Sequence, residues 1–311
     1  MNYPIGIQDF AKLRENNFVY VDKTDMVFDI TKNDGVYFLS RPRRFGKSLL
    51  VSTIKYYFEG RHDLFKGLKI ESLEKKWETY PVFEIDFNGS NYTEADALEQ
   101  TLNGYLVKWE QQYGVKPATD QPGRRLADVL HQAHVQTGKT CVVLVDEYDK
   151  PMLDAMDTGL KTRVGDNEML IEDHNRETLK AFYSVFKLAD ADLRFVFLTG
   201  VTKFAQVSVF SGFNNAQDIS MSPRFDAICG ITTEELNSVF APAIEELANA
   251  NAVSVAETKS QLKQRYDGYH FSKGMTDIYN PFSLLNTFKS EDARDYWFAS
   301  GTPSYLMRLL A

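Results

Sequence analysis

The chain has 311 residues, 43% of them hydrophobic and 22 of them Phe, which allows one large domain or two around a sizeable core. Its net charge of -8 argues against a protein that coats nucleic acid and leaves only a local basic patch open to such a partner. Two cysteines, Cys141 and Cys229, sit beside apolar runs, which excludes a disulfide framework and fits a reducing cytoplasm. No apolar run is long enough to span a bilayer, and the start, Met1-Asn-Tyr-Pro-Ile-Gly6, lacks the basic and apolar regions of a signal peptide.

In chain order, Phe18-Val-Tyr-Val21 reads as a short strand before a helix that Asp22 or Thr24 caps, or as a flank to a nucleotide base. Val36 to Leu39 is an apolar β-type run. It leads into Arg41-Pro42-Arg43-Arg44-Phe45-Gly46-Lys47-Ser48, and Leu49, Leu50, Ile54, Tyr57 and Phe58 follow at helical spacing. Strand, loop and helix N-terminus in that order are what a phosphate needs. Unpaired backbone N–H groups and the helix dipole favour an anion, and Gly46 admits it without a Cβ in the way. Lys47 then reaches the β- and γ-phosphates of a nucleoside triphosphate and the Ser48 hydroxyl reaches Mg²⁺. Arg41 stands where the usual G-x-x-x-x-G-K-[ST] pattern has its first glycine, so the loop has to turn without it. The nucleotide-contacting set is Arg41 with the run Arg43, Arg44, Phe45, Gly46, Lys47, Ser48 and Leu49.

Pro81 to Phe87 alternates as a second strand. A helix is predicted from Thr93 to Tyr113, opening on a Thr93-x-x-Asp96 capping box, and another from Arg124 to Thr137. His131 and His134 share a face of the latter, with no third metal ligand nearby in the sequence. Cys141-Val-Val-Leu-Val145 is a run without alternation, the mark of a strand buried on both faces of a parallel sheet, and it ends in Asp146-Glu147. Two carboxylates at such an end divide the work: Asp146 holds Mg²⁺ and Glu147 polarises the water that attacks the γ-phosphate.

Residues 154–173 read as a polar surface loop, and Leu179, Phe182, Tyr183 and Phe186 as one helix face. Leu193 to Leu198 is a further buried strand. It ends in Thr199, Thr202 and Lys203, with the threonines as γ-phosphate sensors and Lys203 as added charge. Asp226 to Ile231 is the expected fifth strand, and Arg224, just before it, is an exposed Arg able to reach a neighbouring copy. Alternating strands and helices over residues 36–231 imply an α/β fold, a parallel sheet covered by helices on both faces with ligands at the carboxyl ends of its strands. From Thr232 the chain reads as helical, beginning with a Thr232-x-x-Glu235 capping box and kinking at Pro242. The division is 1–231 and 232–311, and the apolar segment from Tyr305 to Ala311, with no stop signal, suggests that the natural protein continues.

Several strings together resemble the bacterial AAA-ATPase-like family: Val21-Asp-Lys-Thr24, Arg41-Pro-Arg-Arg-Phe-Gly-Lys-Ser48, Asp146-Glu-Tyr-Asp-Lys-Pro151, Ser211-Gly-Phe-Asn-Asn215, Ile228-Cys-Gly-Ile231, Asp267-Gly-Tyr269 and Tyr279-Asn-Pro-Phe-Ser283. The resemblance covers nearly the whole chain and makes Arg41 a family trait. It implies a P-loop fold of the additional-strand type with a helical domain after it, and in many members a PD-(D/E)xK nuclease-like domain follows. No acidic strand pair with a nearby Lys occurs in residues 232–311, so such a domain would lie beyond them. The resulting expectation is an ATP- and Mg²⁺-dependent ATPase acting as a switch. The alternatives are a nucleotide-binding module with little turnover, a kinase on the same fold, and a nuclease that needs the missing part.

Overall fold

In the computed structural model, residues 1–202, 216–274 and 276–297 are described. Strands β1 (Gly35–Ser40), β2 (Val82–Asp86) and β3 (Cys141–Asp146) precede a hairpin of β4 (Lys161–Val164) and β5 (Asn167–Leu170), and β6 (Leu193–Gly200) and β7 (Ala216–Asp218) follow. Five of these make one parallel sheet in the order β2-β3-β6-β1-β7. Every residue of β3 is buried, as its unalternated apolar run requires. Side chains alternate between two cores. Phe38, Ile85, Val143, Val145, Val196 and Leu198 face the helices Ala97–Tyr113, Pro122–Thr137 and Ile171–Tyr183. Tyr37, Leu39, Val142, Leu144, Phe195 and Phe197 face α1 (Phe10–Glu15), α2 (Thr24–Thr31) and α3 (Lys47–Phe58). Strand β6 lies between β1 and β3, so the phosphate-loop strand and the acidic strand are separated by one interposed strand.

The fifth strand is not where the sequence suggested. It is Ala216–Asp218, parallel to β1, while 226–230 runs through turns. Two features break that run as a strand: Arg41 takes the carbonyls of Phe225 and Asp226, and Gly230 has φ +92. Only β8 (Ile231–Thr232) is extended there, antiparallel to β9 (Ile278–Tyr279). Phe18 to Val21 forms no strand either. Val19 and Val21 pack on a third core built from Leu236, Phe240, Ile244, Leu262, Leu284 and Phe288.

Other local expectations divide. Asp22 Oδ1 accepts from the Thr24 backbone N–H and hydroxyl, and the Thr232–Glu235 capping box forms in full. The Thr93–Asp96 box does not, because Asn91 takes the Thr93 donors and the helix starts at Ala97. Pro242 opens a new helix, Ala241–Ala250, and does not kink an old one. The polar stretch 154–173 contains the β4–β5 hairpin and the start of a helix at Ile171. Lys203, the string Ser211 to Asn215 and the segment Tyr305 to Ala311 lie outside the described residues. Among the described residues no helix is long and apolar enough to cross a membrane.

Candidate functional site

The carboxyl ends of β1, β3 and β6 converge on the N-terminus of α3. The loop between β1 and α3 makes two left-handed steps, at Arg44 (φ +69) and Gly46 (φ +95), and none at residue 41. A glycine at position 41 is therefore not needed for the turn. A Cβ on Gly46 would meet no atom within 4 Å, so its glycine answers to backbone φ and to whatever approaches from the open side.

Arg41 corrects its own assignment. Its guanidinium is 1% exposed, and it donates to the carbonyls of Ser40 and Ser220 from one nitrogen and of Phe225 and Asp226 from the other. The Phe271 ring lies 4.0 Å from it. A planar fork satisfied on both arms and stacked on a ring is a framework clamp. Of the other loop residues, Phe45 is buried edge-on to Tyr269 and Phe271. Arg44 lies 5.0 Å from the Phe282 ring, and the Arg43 carbonyl accepts from Trp297 Nε1. Arg43, Arg44, Gly46, Lys47, Ser48 and Leu49 line an open cleft of about 520 Å³.

Glu147 and Lys150 line the same cleft. Lys47 is 4% exposed, donates to the carbonyl of Arg41 at 3.1 Å, and lies 3.5 Å from Glu147 Oε1. Burial pushes the Glu147 carboxyl above the usual carboxylate range, and Lys47 opposes that shift. Asp146 Oδ1 accepts from the Thr199 hydroxyl at 2.5 Å and from the Glu147 backbone N–H at 3.0 Å. Thr202 is turned elsewhere: its hydroxyl and backbone N–H both donate to Asp149. Lys47, Ser48 and Glu147 thus share one cleft, and Asp146 and Thr199, bonded to each other, lie next to Glu147 at the strand ends.

A smaller apolar slot of about 110 Å³ adjoins the cleft, sharing Pro4, Gly46, Leu49, Pro281 and Leu285 with it. Val19, Val21, Ile228 and Phe240 complete much of its wall. The N-terminal residues Pro4 to Gln8, together with Asn88, Lys150, Pro281 and Phe282, are cleft residues to which the sequence assigned nothing. A signal existed for some, since Lys150 and Phe282 fall inside the strings that carry the family resemblance. Arg224 pairs with Asp29 at 2.7 Å. His131 and His134 both face Asp192, and among the described residues no group of three or more His, Cys, Asp or Glu is placed to hold a metal ion.

The model of the AAA-ATPase-like family, described as "Predicted AAA-ATPase", matches residues 4–210. An uncharacterized protein in the vnfD 5' region of Azotobacter chroococcum mcd 1 is 40% identical over 308 residues, 99% of this chain and 55% of that protein. The chain therefore spans about half the length of this curated relative. With more than half of its residues inside the family match, and with the loop, the acidic strand and the interposed strand arranged around one cleft, the chain belongs to the AAA-ATPase-like family of predicted nucleotide-binding proteins.

Proposed function

We propose that this chain binds ATP with Mg²⁺ and hydrolyses it, turnover acting as a switch for an attached effector domain or a partner. The observation that carries the reading is the approach of Lys47 Nζ to Glu147 Oε1, 3.5 Å across a cleft at the carboxyl ends of parallel strands. Lys47 and the N–H groups opening α3 take the phosphates, helped by the charge of Arg43 and Arg44. Ser48 and Asp146 hold the metal. Mg²⁺ keeps several waters and is usually held by one or two carboxylates plus phosphates, so this is a sufficient protein share. The bound metal supplies neutralising charge to the phosphates. Glu147 orients and polarises the attacking water, and Thr199, hydrogen-bonded to Asp146, reports on the metal side of the site. The apolar slot beside Gly46 takes the base.

Incoming phosphates compete with Glu147 for Lys47, which frees the carboxylate for water. The same contact favours a second reading, a module that binds nucleotide and hardly turns it over, because in this conformation Lys47 and Glu147 occupy each other. The Azotobacter relative is longer than this chain, and the effector we propose is a further domain or a separate partner, for which a nuclease-like domain is one form. Two buried free thiols fit a reducing cytoplasm.

Calorimetric titration of ATP and GTP with Mg²⁺, followed by phosphate release, tests this. Lys47→Ala should lose most of its nucleotide affinity, and Glu147→Gln should bind normally while releasing phosphate about 10²–10⁴-fold more slowly. Binding without release in every protein would favour the second reading, and a Glu147→Gln rate equal to wild type would remove Glu147 from the chemistry.

A further inference from the structure

The turn after β3 carries a second buried carboxylate that this mechanism leaves without a task. Asp149 is fully shielded from solvent, and its Oδ2 accepts from Val201 N at 3.0 Å, Thr202 N at 2.7 Å and Thr202 Oγ1 at 2.9 Å. Tyr148 strengthens the same seam, its backbone N–H donating to the Thr199 carbonyl and its hydroxyl to the Thr202 carbonyl, each at 2.9 Å. The fit is close. A Cβ on Gly200 would sit 2.5 Å from the Tyr148 ring and 2.6 Å from Asp149 Oδ1.

The residue just before this seam is Glu147. That residue has φ +52, a left-handed conformation that residues with side chains seldom adopt unless their surroundings impose it. Its own backbone N–H is tied to Asp146 Oδ1, and the next residues are tied to the end of β6. None of the Asp149 bonds involves the phosphate loop.

We propose that Asp149 is a positioning residue for hydrolysis: by gripping Val201 and Thr202 at the end of β6, it holds the β3 turn in the conformation that aims Glu147 into the cleft. The inference rests on the reading of Glu147 as the group that orients water. It assigns Thr202 to this grip in place of direct sensing of the γ-phosphate. Two consequences follow from the geometry. Loss of Asp149 slows turnover and leaves nucleotide affinity alone, and the loss has no further effect once Glu147 is disabled.

The test measures nucleotide dissociation constants and single-turnover phosphate release for wild type, Asp149→Ala, Asp149→Asn, Glu147→Gln and the Asp149→Ala/Glu147→Gln double variant. Asp149→Ala should turn over about 10²-fold more slowly, the scale of a misplacement near 1 Å, with Kd within about threefold of wild type. Asp149→Asn, which keeps an acceptor for the two N–H groups, should recover much of the rate. The double variant should be no slower than Glu147→Gln alone. Should Asp149→Ala fail to fold, Thr202→Val removes one of the three bonds without changing shape, and it should lower the rate about tenfold at unchanged Kd. A wild-type rate in Asp149→Ala, a loss that multiplies with that of Glu147→Gln, or a loss of rate matched by a loss of affinity would overturn the proposal while leaving hydrolysis intact. Binding without any phosphate release by wild type would overturn the hydrolysis reading and this inference together.

Discussion

The β3 turn and the phosphate loop meet at one cleft and are held by different parts of the chain. The turn is held by one neighbouring strand end: Asp146 takes the Thr199 hydroxyl, Asp149 takes the donors of Val201 and Thr202, and Tyr148 donates to the carbonyls of Thr199 and Thr202. All of these partners belong to β6 or the two residues after it, so the turn is fastened to the sheet beside it. The loop is held by contacts, both donated and accepted, with residues far along the chain. Arg41 binds carbonyls of Ser220, Phe225 and Asp226, Arg44 lies over Phe282, and Gly230 donates its N–H to the Phe45 carbonyl. Each half of the chemistry is therefore exposed to influence from a different part of the chain. A change in the C-terminal helices should reach the phosphates through the loop, whereas the group that orients water answers to the sheet.

Arg41→Ala should have the largest effect. It strips a buried guanidinium from four carbonyls and from the Phe271 ring. Hydrogen bonds to charged groups contribute about 1.5–3 kcal/mol each, so denaturant unfolding should show a loss of at least about 3 kcal/mol. Arg41→Lys should recover little of it, because an ammonium neither forks nor stacks. Unchanged stability would mean that the loop does not depend on the late chain.

On the turn side, Gly200→Ala pushes a methyl group against Tyr148 and Asp149. Overpacking of this kind costs about 1–3 kcal/mol. The variant should lose turnover and keep nucleotide affinity, and a fall in affinity instead would show that the two sides are coupled.

The smallest effect is read from the thiols, one on each side. Burial pushes Cys141, in β3, from its ordinary 9.0 up to about 12, and pushes Cys229, beside Gly230, upward as well. A raised thiol pKa stabilises the fold fully below pH 9, and that contribution is lost as pH climbs towards 12. At pH 8 both thiols should alkylate far more slowly than in unfolded chain. Nucleotide should protect Cys229, which lines the slot, more than Cys141. Equal protection would argue that nucleotide steadies the whole molecule and not the loop side.

How much of this was legible in advance depended on where the partners of each residue lie. Strands β1, β3 and β6 announced themselves as apolar runs, because burial on both faces leaves no room for polar residues. Lys47, Asp146 and Glu147 were legible as candidates through fixed spacing from those strands, and Lys47 and Glu147 lie 3.5 Å apart in one cleft. The edge strand Ala216–Asp218 was not, being short and mostly polar, nor was the exposed hairpin β4–β5, whose strands bury little and so carry no apolar signature.

Chain-local chemistry alone determined the parallel α/β core, the phosphate-loop helix and the capping box at Thr232, since each rests on periodicity or on donors within a few residues. Tertiary structure decided the rest. Arg41 became a clamp and not a phosphate ligand because its acceptors arrive from Ser220, Phe225 and Asp226, far along the chain. Thr202 turned to Asp149, and the slot closed between Val19, Ile228 and Phe240, for the same reason. A side chain's hydrogen-bond partner is set by distance in space, and sequence spacing specifies that distance only within an element or a turn.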